Sequence, residues 1–428
     1  MKKIVLSTIA AVAVGVTALS ATQFYIDDKG QVFTTSAPDR KILKDESNSV
    51  FSKAKNLEFS GTHYFGYTSA SPSTTSSAAD PSIPTTVALG NDTAKYAGDS
   101  AGFELRRNYL QVKGFFNDKD YWRVTLDATK ELASSTSYAN AFVKYAYLYV
   151  DGVLPYTGVE FGIAHRPWID YEEHNGWYYR SFNKVMIEEK GTPTESGVDL
   201  LNSADLGVNF KTKTDLFSSE IGIYNGEGYH ADKKAANQEN DSKLSLEWRL
   251  TGHLMGSGTK VSKNDRTKDS YAHISTFGLI SKNHKDDTVA IGAAKEYDRS
   301  FYGIHAVYNQ PLFLIAAQYL IAEDEARNSI ADSGKEYDAF SINAEVRPFK
   351  DWTLIGRYDD YKIDTVASGS GNKSSLTDGN KVITALAYKY NKNVNFIGSA
   401  KFINEEKANS GDTGESKDVY MFTTEVKW

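Results

Sequence analysis

One pattern recurs along this chain and limits what it can fold into: runs of about ten residues in which apolar and polar side chains alternate. Trp122, Val124 and Leu126 alternate with Arg123, Thr125 and Asp127; Leu244, Leu246, Trp248 and Leu250 with Lys243, Ser245, Glu247 and Arg249. Phe340, Ile342, Ala344 and Val346 alternate with Ser341, Asn343, Glu345 and Arg347 in the same way. Each run has one apolar and one polar face and is long enough for a tilted strand to cross a bilayer, which takes ~9–11 residues.

The connections sort by length. Tight turns are expected at 117–120, 151–155, 213–215, 309–311, 347–351 and 391–393, and long loops at 68–101, 130–140, 166–202, 226–241, 323–336, 363–379 and 405–417. Short turns at one end and long loops at the other are how outer-membrane barrels are built, whereas a soluble sandwich has no reason to segregate them. The fold expected is all-β: a transmembrane antiparallel β-barrel of about sixteen strands with short periplasmic turns and long extracellular loops. One further alternating run, TVAIGAAKEY at 288–297, would make the count odd and is assigned to an extracellular loop extension, with 18 strands as the alternative.

The first residues, MKKIVLSTIAAVAVGVTALSA, supply two lysines, an apolar run and small residues, so 1–21 is read as a cleaved signal peptide. No later apolar stretch is long enough for a transmembrane helix, and mean hydropathy is polar at −0.46. The chain has no cysteine, which leaves neither a disulfide framework nor a thiolate metal site. Aromatic residues make up 13% with only nine prolines, a mixture suited to strands and interfacial belts.

Residues 22–55 stand apart as a short periplasmic extension, with FYIDDKGQVF read as a small hairpin followed by a charged, short helical stretch. The barrel proper is expected over 56–428. The segment 70–101 is Ser/Thr/Pro-rich and is read as a mobile external loop. At the other end, Tyr420, Phe422, Val426 and Trp428 fall on one face of the last strand. A terminal aromatic on such a strand is read as the assembly signal for the barrel-insertion machinery, and Trp428 as the residue that closes the barrel in the interfacial girdle.

The stretch FELRRNYLQVKGFFNDKDYWRVTLD, residues 103–127, resembles the paired-arginine strand, turn and next strand near the start of the barrel in phosphate-selective porins. VEFGIAHRPW, residues 159–168, is similar in running from a strand into a Pro-containing loop. The resemblance implies a sixteen-stranded, trimeric, water-filled porin. This chain departs from the phosphate-specific members, which have a dense ladder of inward arginines. Here Arg107, Arg123, Arg166, Arg249, Arg347 and Arg357 are scattered among acids.

A pore selects by its width and by the charges at its narrowest point. The third long loop, 166–202, is the expected constriction. It offers Arg166, Arg180 and Lys184 as cations and Asp170, Glu172 and Glu173 among its anions. The alternative for these charges is that they pair with one another and fasten the loop to the wall. On the neighbouring strands, outward Leu110 and Val112 place Arg107 and Lys113 inward, and Val124 with Leu126 places Arg123 inward. Lys144 faces the lumen in one of two possible registers. Facing cations and anions would set a transverse field.

Other chemistries find little support. Glu172, Glu173 and His174 are adjacent, but no second ligand pair is spaced to complete a metal site, and no cofactor is expected. GSGTK at 256–260 lacks the order of a phosphate loop. Fifty-five acidic residues against 48 basic ones argue against nucleic acid. No nucleophile and base are recognisable, so no enzyme is expected. The function expected is a diffusion porin of a Gram-negative outer membrane with weak anion preference; the alternative is an oxyanion-selective channel. Its partners would be outer-membrane lipid, the barrel-assembly machinery, small ions and solutes, and further copies in a homotrimer.

Overall fold

The computed structural model describes residues 25–27, 32–33, 37–38, 40–42, 56–71, 74–77, 80–86, 100–129, 140–189, 196–226, 228–229, 244–256, 266–285, 296–326, 334–366, 373–407 and 412–428. The chain divides into two compact units, Met1–Leu57 and Glu58–Trp428. In the first, β1 (Tyr25–Asp27) pairs antiparallel with β2 (Val32–Phe33), the hairpin expected around the DKG turn. A third strand, β3 (Arg40–Ile42), pairs with the other edge of β1. The expected short helix after it lies outside the described residues.

The second unit is a closed antiparallel barrel. Its sixteen staves are β4 (Leu57–Ala70), β7 (Ser100–Phe115), β8 (Tyr121–Thr129), β9 (Asn140–Leu154), β10 (Thr157–His165), β11 (Ala204–Lys213), β12 (Phe217–Tyr224) and β13 (Ser245–Met255), followed by β14 (Tyr271–Lys285), β15 (Glu296–Gln310), β16 (Phe313–Ala326), β17 (Gly334–Phe349), β18 (Trp352–Val366), β19 (Lys373–Lys389), β20 (Val394–Lys407) and β21 (Asp412–Lys427). Two shorter strands, β5 (Thr74–Ser77) and β6 (Asp80–Thr86), pair with each other, and β5 also pairs with β21. Part of the segment expected to be a mobile loop is therefore a hairpin that prolongs the sheet. Threonine and serine there suit a strand edge, a preference that reading the composition as unable to bury a core overlooks. The run 288–297 adds no stave: its last two residues, Glu296 and Tyr297, begin β15, and the rest lies outside the described residues.

Alternation fixes inside and outside. Along β17, Ser341, Asn343, Glu345 and Arg347 are buried inward while Phe340, Ile342 and Val346 are exposed on the outer face. Along β13, Ser245, Glu247, Arg249 and Thr251 are inward, Leu246 and Leu250 outward. Outward aromatics lie toward both ends, with Tyr308, Trp352 and Tyr390 on the turn side and Tyr67 and Phe103 toward the loops. An apolar band between two aromatic girdles is the outer surface a bilayer requires.

Closure joins β21 to β4 in the register Phe422↔Tyr67 to Val426↔His63. The backbones of Trp428 and Gly61 then exchange hydrogen bonds of 3.0 and 3.1 Å. A Cβ at residue 61 would lie 2.5 Å from the Trp428 indole, so the ring can keep this place only over glycine.

One connection breaks the length rule. Between β13 and β14, at the tight-turn end, the chain runs from 256 to 270. Its described end folds back to the barrel, where Asn309 Nδ2 donates to the carbonyls of Arg266 and Asp269 at 3.0 and 2.6 Å.

Candidate pore constriction

The third long loop leaves β10 at Arg166 and forms helix α1 (Ile169–Asn175) and a 3₁₀ turn, Met186–Glu188. Trp168, Ile169, Trp177, Phe182, Val185, Met186, Ile187, Leu200 and Leu201 form one cluster with inward residues of the wall, including Phe277, Leu279, Phe301, Leu320, Ile355, Ile383 and Ile397. The loop is packed inside the barrel because this part of the wall is apolar on its inner face as well. Burying that surface is worth ~25 cal/mol per Å² removed from water. Trp168 lies flat on Phe277, ring centroids 3.6 Å apart.

Polar contacts fix the loop in register. Tyr171 Oη and His273 Nδ1 are 2.9 Å apart, Gln318 Nε2 donates to Glu172 Oε1 at 2.6 Å, and Asn343 Nδ2 donates to the Gly176 carbonyl at 2.9 Å. Tyr179 Oη donates to Glu345 Oε2 at 2.5 Å, and Arg266 stacks over Tyr178 at 4.2 Å. Further along, Lys381 pairs with Glu189 and donates to the Ser196 carbonyl at 2.7 Å, while Arg357 Nη1 donates to the Lys184 carbonyl at 2.8 Å.

Most charges singled out in the loop are thus fasteners. Arg166 Nε donates to both oxygens of Glu247 on β13, at 3.0 and 2.9 Å. Arg180 pairs with Glu173 and Glu188, with Nη2 2.7 Å from Glu188 Oε1. Burial alone would raise the Glu188 carboxyl, but Arg180 holds it at about 2. Glu172 turns to the wall and forms no ion pair among the described residues; burial pushes its carboxyl up to about 8. Asp170, Glu173 and His174 lie on the other side of α1, and Asp170 keeps 29% side-chain exposure and His174 35%.

Across the remaining gap stand β7 to β11. Arg107 is buried, with Nη1 3.3 Å from Asp127 Oδ2, and Lys113 Nζ is 3.5 Å from Glu58 Oε1. Arg123 donates to Thr125 Oγ1 and Tyr147 Oη at 3.0 and 3.2 Å and lies 4.7 Å from the Tyr145 ring centre. Lys144 is buried with its ammonium 5.2, 5.7 and 5.3 Å from the rings of Tyr109, Tyr145 and Tyr229. Its two possible registers are resolved by a β-bulge: pairing passes from Thr125↔Tyr145 to Leu126↔Val143, so Lys144 is the extra residue and both it and Tyr145 turn inward.

Other residues of this gap escaped sequence reasoning. Arg106 and Arg107 are both buried, so alternation fails at the paired arginines, and Arg106 Nη1 meets Glu104 Oε2 at 3.0 Å. Lys211 Nζ stands 3.3 Å from Glu160 Oε1 and 3.4 Å from Glu220 Oε2. Arg266 enters from the turn side, where no long connection was expected. A signal for the buried loop was present in β14: Ile274, Phe277, Leu279 and Ile280 make that strand apolar on both faces.

A closed sixteen-stranded barrel, apolar outside and narrowed from within by its third long loop, has the architecture of outer-membrane β-barrels. Solved structures of that fold include OmpT, an outer-membrane protein of Vibrio cholerae, at 15% identity over 87% of this chain and 97% of that one, TM-score 0.52. An anion-selective porin from Comamonas acidovorans matches at 10% identity over 87% and 99%, TM-score 0.52. The outer-membrane channel DcaP of Acinetobacter baumannii matches at 10% over 87% and 97%, TM-score 0.51. At these identities the likeness is one of fold. No family model matches the sequence, and no curated protein does.

Proposed function

We propose that this chain is a non-catalytic outer-membrane porin, a water-filled channel for ions and small hydrophilic solutes with weak anion preference. The observation that carries the reading is the gap between α1 and the facing wall. Side chains on both sides keep contact with solvent inside the barrel, Asp170 at 29% on the loop and Lys211 at 24% on the wall. The sign follows from what is left after pairing. Arg166, Arg180, Lys211 and Arg107 are balanced by neighbouring carboxylates, while Arg123 and Lys144 form no ion pair among the described residues. Arg123 then shares the His165 ring with Asp170, at 3.3 and 3.7 Å from Nε2, while Lys144 is buried among tyrosines, and in a narrow low-dielectric lumen the field of these cations outweighs that of screened charges in the outer loops.

The rest of the reading is of a piece with this. A cleaved signal at 1–21 exports the chain, the aromatic face ending in Trp428 engages the assembly machinery, and the working form is a homotrimer in outer-membrane lipid. A saturable oxyanion channel is the other form this function can take. Planar-bilayer recordings of the purified protein test both: ohmic steps in KCl with a zero-current potential of anionic sign support the first, and conductance that saturates with phosphate supports the second. Absence of conductance steps would remove the porin reading.

A further inference from the structure

His165 ends β10, where the constriction loop begins, and its ring is held on every side. Nδ1 lies 3.3 Å from Glu160 Oε2 on its own strand, and Nε2 lies 3.3 Å from Arg123 Nη1 on β8 and 3.7 Å from Asp170 Oδ1 on α1. From β9, Tyr145 packs against the ring with centroids 4.3 Å apart and Tyr147 meets it edge-on at 5.5 Å. The next charges out are Lys211 on β11, 3.3 Å from Glu160, and His174 on α1, 3.4 Å from Asp170.

These contacts assign the protons. A guanidinium has no lone pair, so Arg123 is the donor and Nε2 of His165 the acceptor. In the neutral ring with Nε2 accepting, the one N–H lies on Nδ1, directed at the Glu160 carboxylate. A second proton, taken from water onto Nε2, removes the lone pair Arg123 uses and sets two cations side by side. The new Nε2–H has the Asp170 carboxylate within reach, and Glu160 still accepts from Nδ1. The doubly protonated ring is thus supported by a carboxylate at each nitrogen and opposed by Arg123 at Nε2, with Lys211 the next cation out beyond Glu160.

We propose that His165 is a specificity-determining residue of the pore: one proton at Nε2 ends its contact with Arg123, which Thr125 and Tyr147 still hold on the wall, and pairs the imidazolium with Asp170. Both changes act in one direction. The imidazolium adds a positive charge beside Arg123 and offsets the Asp170 carboxylate, so anion preference rises as pH falls. The inference rests on the porin reading, with Arg123 and Asp170 at the neck.

Zero-current potentials across a KCl gradient, measured on the full-length protein at pH 8 and pH 5, test it. The chloride-to-potassium permeability ratio of the wild type should rise by roughly threefold on acidification. His165→Gln and His165→Asn should abolish the rise, while His174→Gln should keep it. A wild-type ratio that does not change with pH overturns the inference without needing any variant. So does a rise that survives in either His165 variant or is lost in His174→Gln. If the ratio is flat but Arg123→Ala still lowers it at fixed pH, the porin reading stands without His165; if no channel forms, that reading fails first.

Discussion

The indole Nε1 of Trp428 donates to Nε2 of His63 at 3.0 Å, so the last residue of the barrel is bonded to its first strand by side chain as well as backbone. The indole lies over Gly61, at the turn-side end of the closing seam. Trp428→Asp should therefore lower the amount of folded, heat-modifiable barrel in membranes, and Gly61→Val should do so too by displacing the ring. Lys427→Ala should be tolerated, since its only ion pair among the described residues, with Glu425, is a long one of 3.8 Å and its side chain is 51% exposed. Wild-type levels of folded Trp428→Asp would remove its role at the seam.

The inside and outside of the wall differ in what they accept. Leu250 and Ile342 face outward near mid-strand, and arginine at either should destabilise the barrel by about 2–4 kcal/mol. Gln111 is half-buried on the inner face, and Gln111→Arg should cost little. Ser245 and Asn343 are inward but not neutral, because they hold Glu247 and the Gly176 carbonyl. Urea unfolding of folded barrel in lipid vesicles measures the difference, and equal costs for the outward and inward substitutions would refute the assignment.

Selectivity should follow Arg123 more specifically than Arg107. Removing Arg123 takes away a cation that has no ion-pair partner among the described residues, whereas Arg107→Ala also leaves the buried Asp127 carboxylate without that cation. Both single variants should shift permeability towards potassium, and the double variant further. The zero-current potential gives the sign directly. No shift in the double variant would take these residues out of the filter.

The seat of the loop should be tested at Trp168. Trp168→Ala empties a buried site stacked on Phe277, a change that typically costs ~3–5 kcal/mol in a packed core. The expected results are faster proteolysis within 166–202 and a larger, noisier single-channel conductance. Conductance and cleavage like those of the wild type would mean the loop does not narrow the pore.

Loop seating should also weaken in alkali through Glu172. Burial raises its carboxyl to about 8, well above an ordinary carboxyl, so its contribution is full below the ordinary carboxylate range and is lost as pH rises through about 8. Protease cleavage of the loop should be slower at pH 7 than at pH 9.5, and Glu172→Gln should flatten this difference. An unchanged pH dependence in that variant would assign the effect elsewhere.

The sequence by itself determined the staves, their faces and the seam. Period-two alternation is a local property: whether Ile342 or Asn343 meets lipid follows from the pleat as soon as one face is apolar, and the segregation of short and long connections follows from antiparallel pairing. All sixteen runs became staves for that reason. Only the tertiary structure decided the constriction. Arg166 meets Glu247 across 81 residues and Lys381 meets Glu189 across 192, distances over which no periodicity carries information. A single unpaired residue in β9 turned Lys144 inward, and the fold of the loop sent Glu172 to the wall while leaving Asp170 beside His165. Charges listed along a chain have a sign but no partner. Closure of the barrel brings the partners together and so decides which charges fasten the loop and which are left to face the pore.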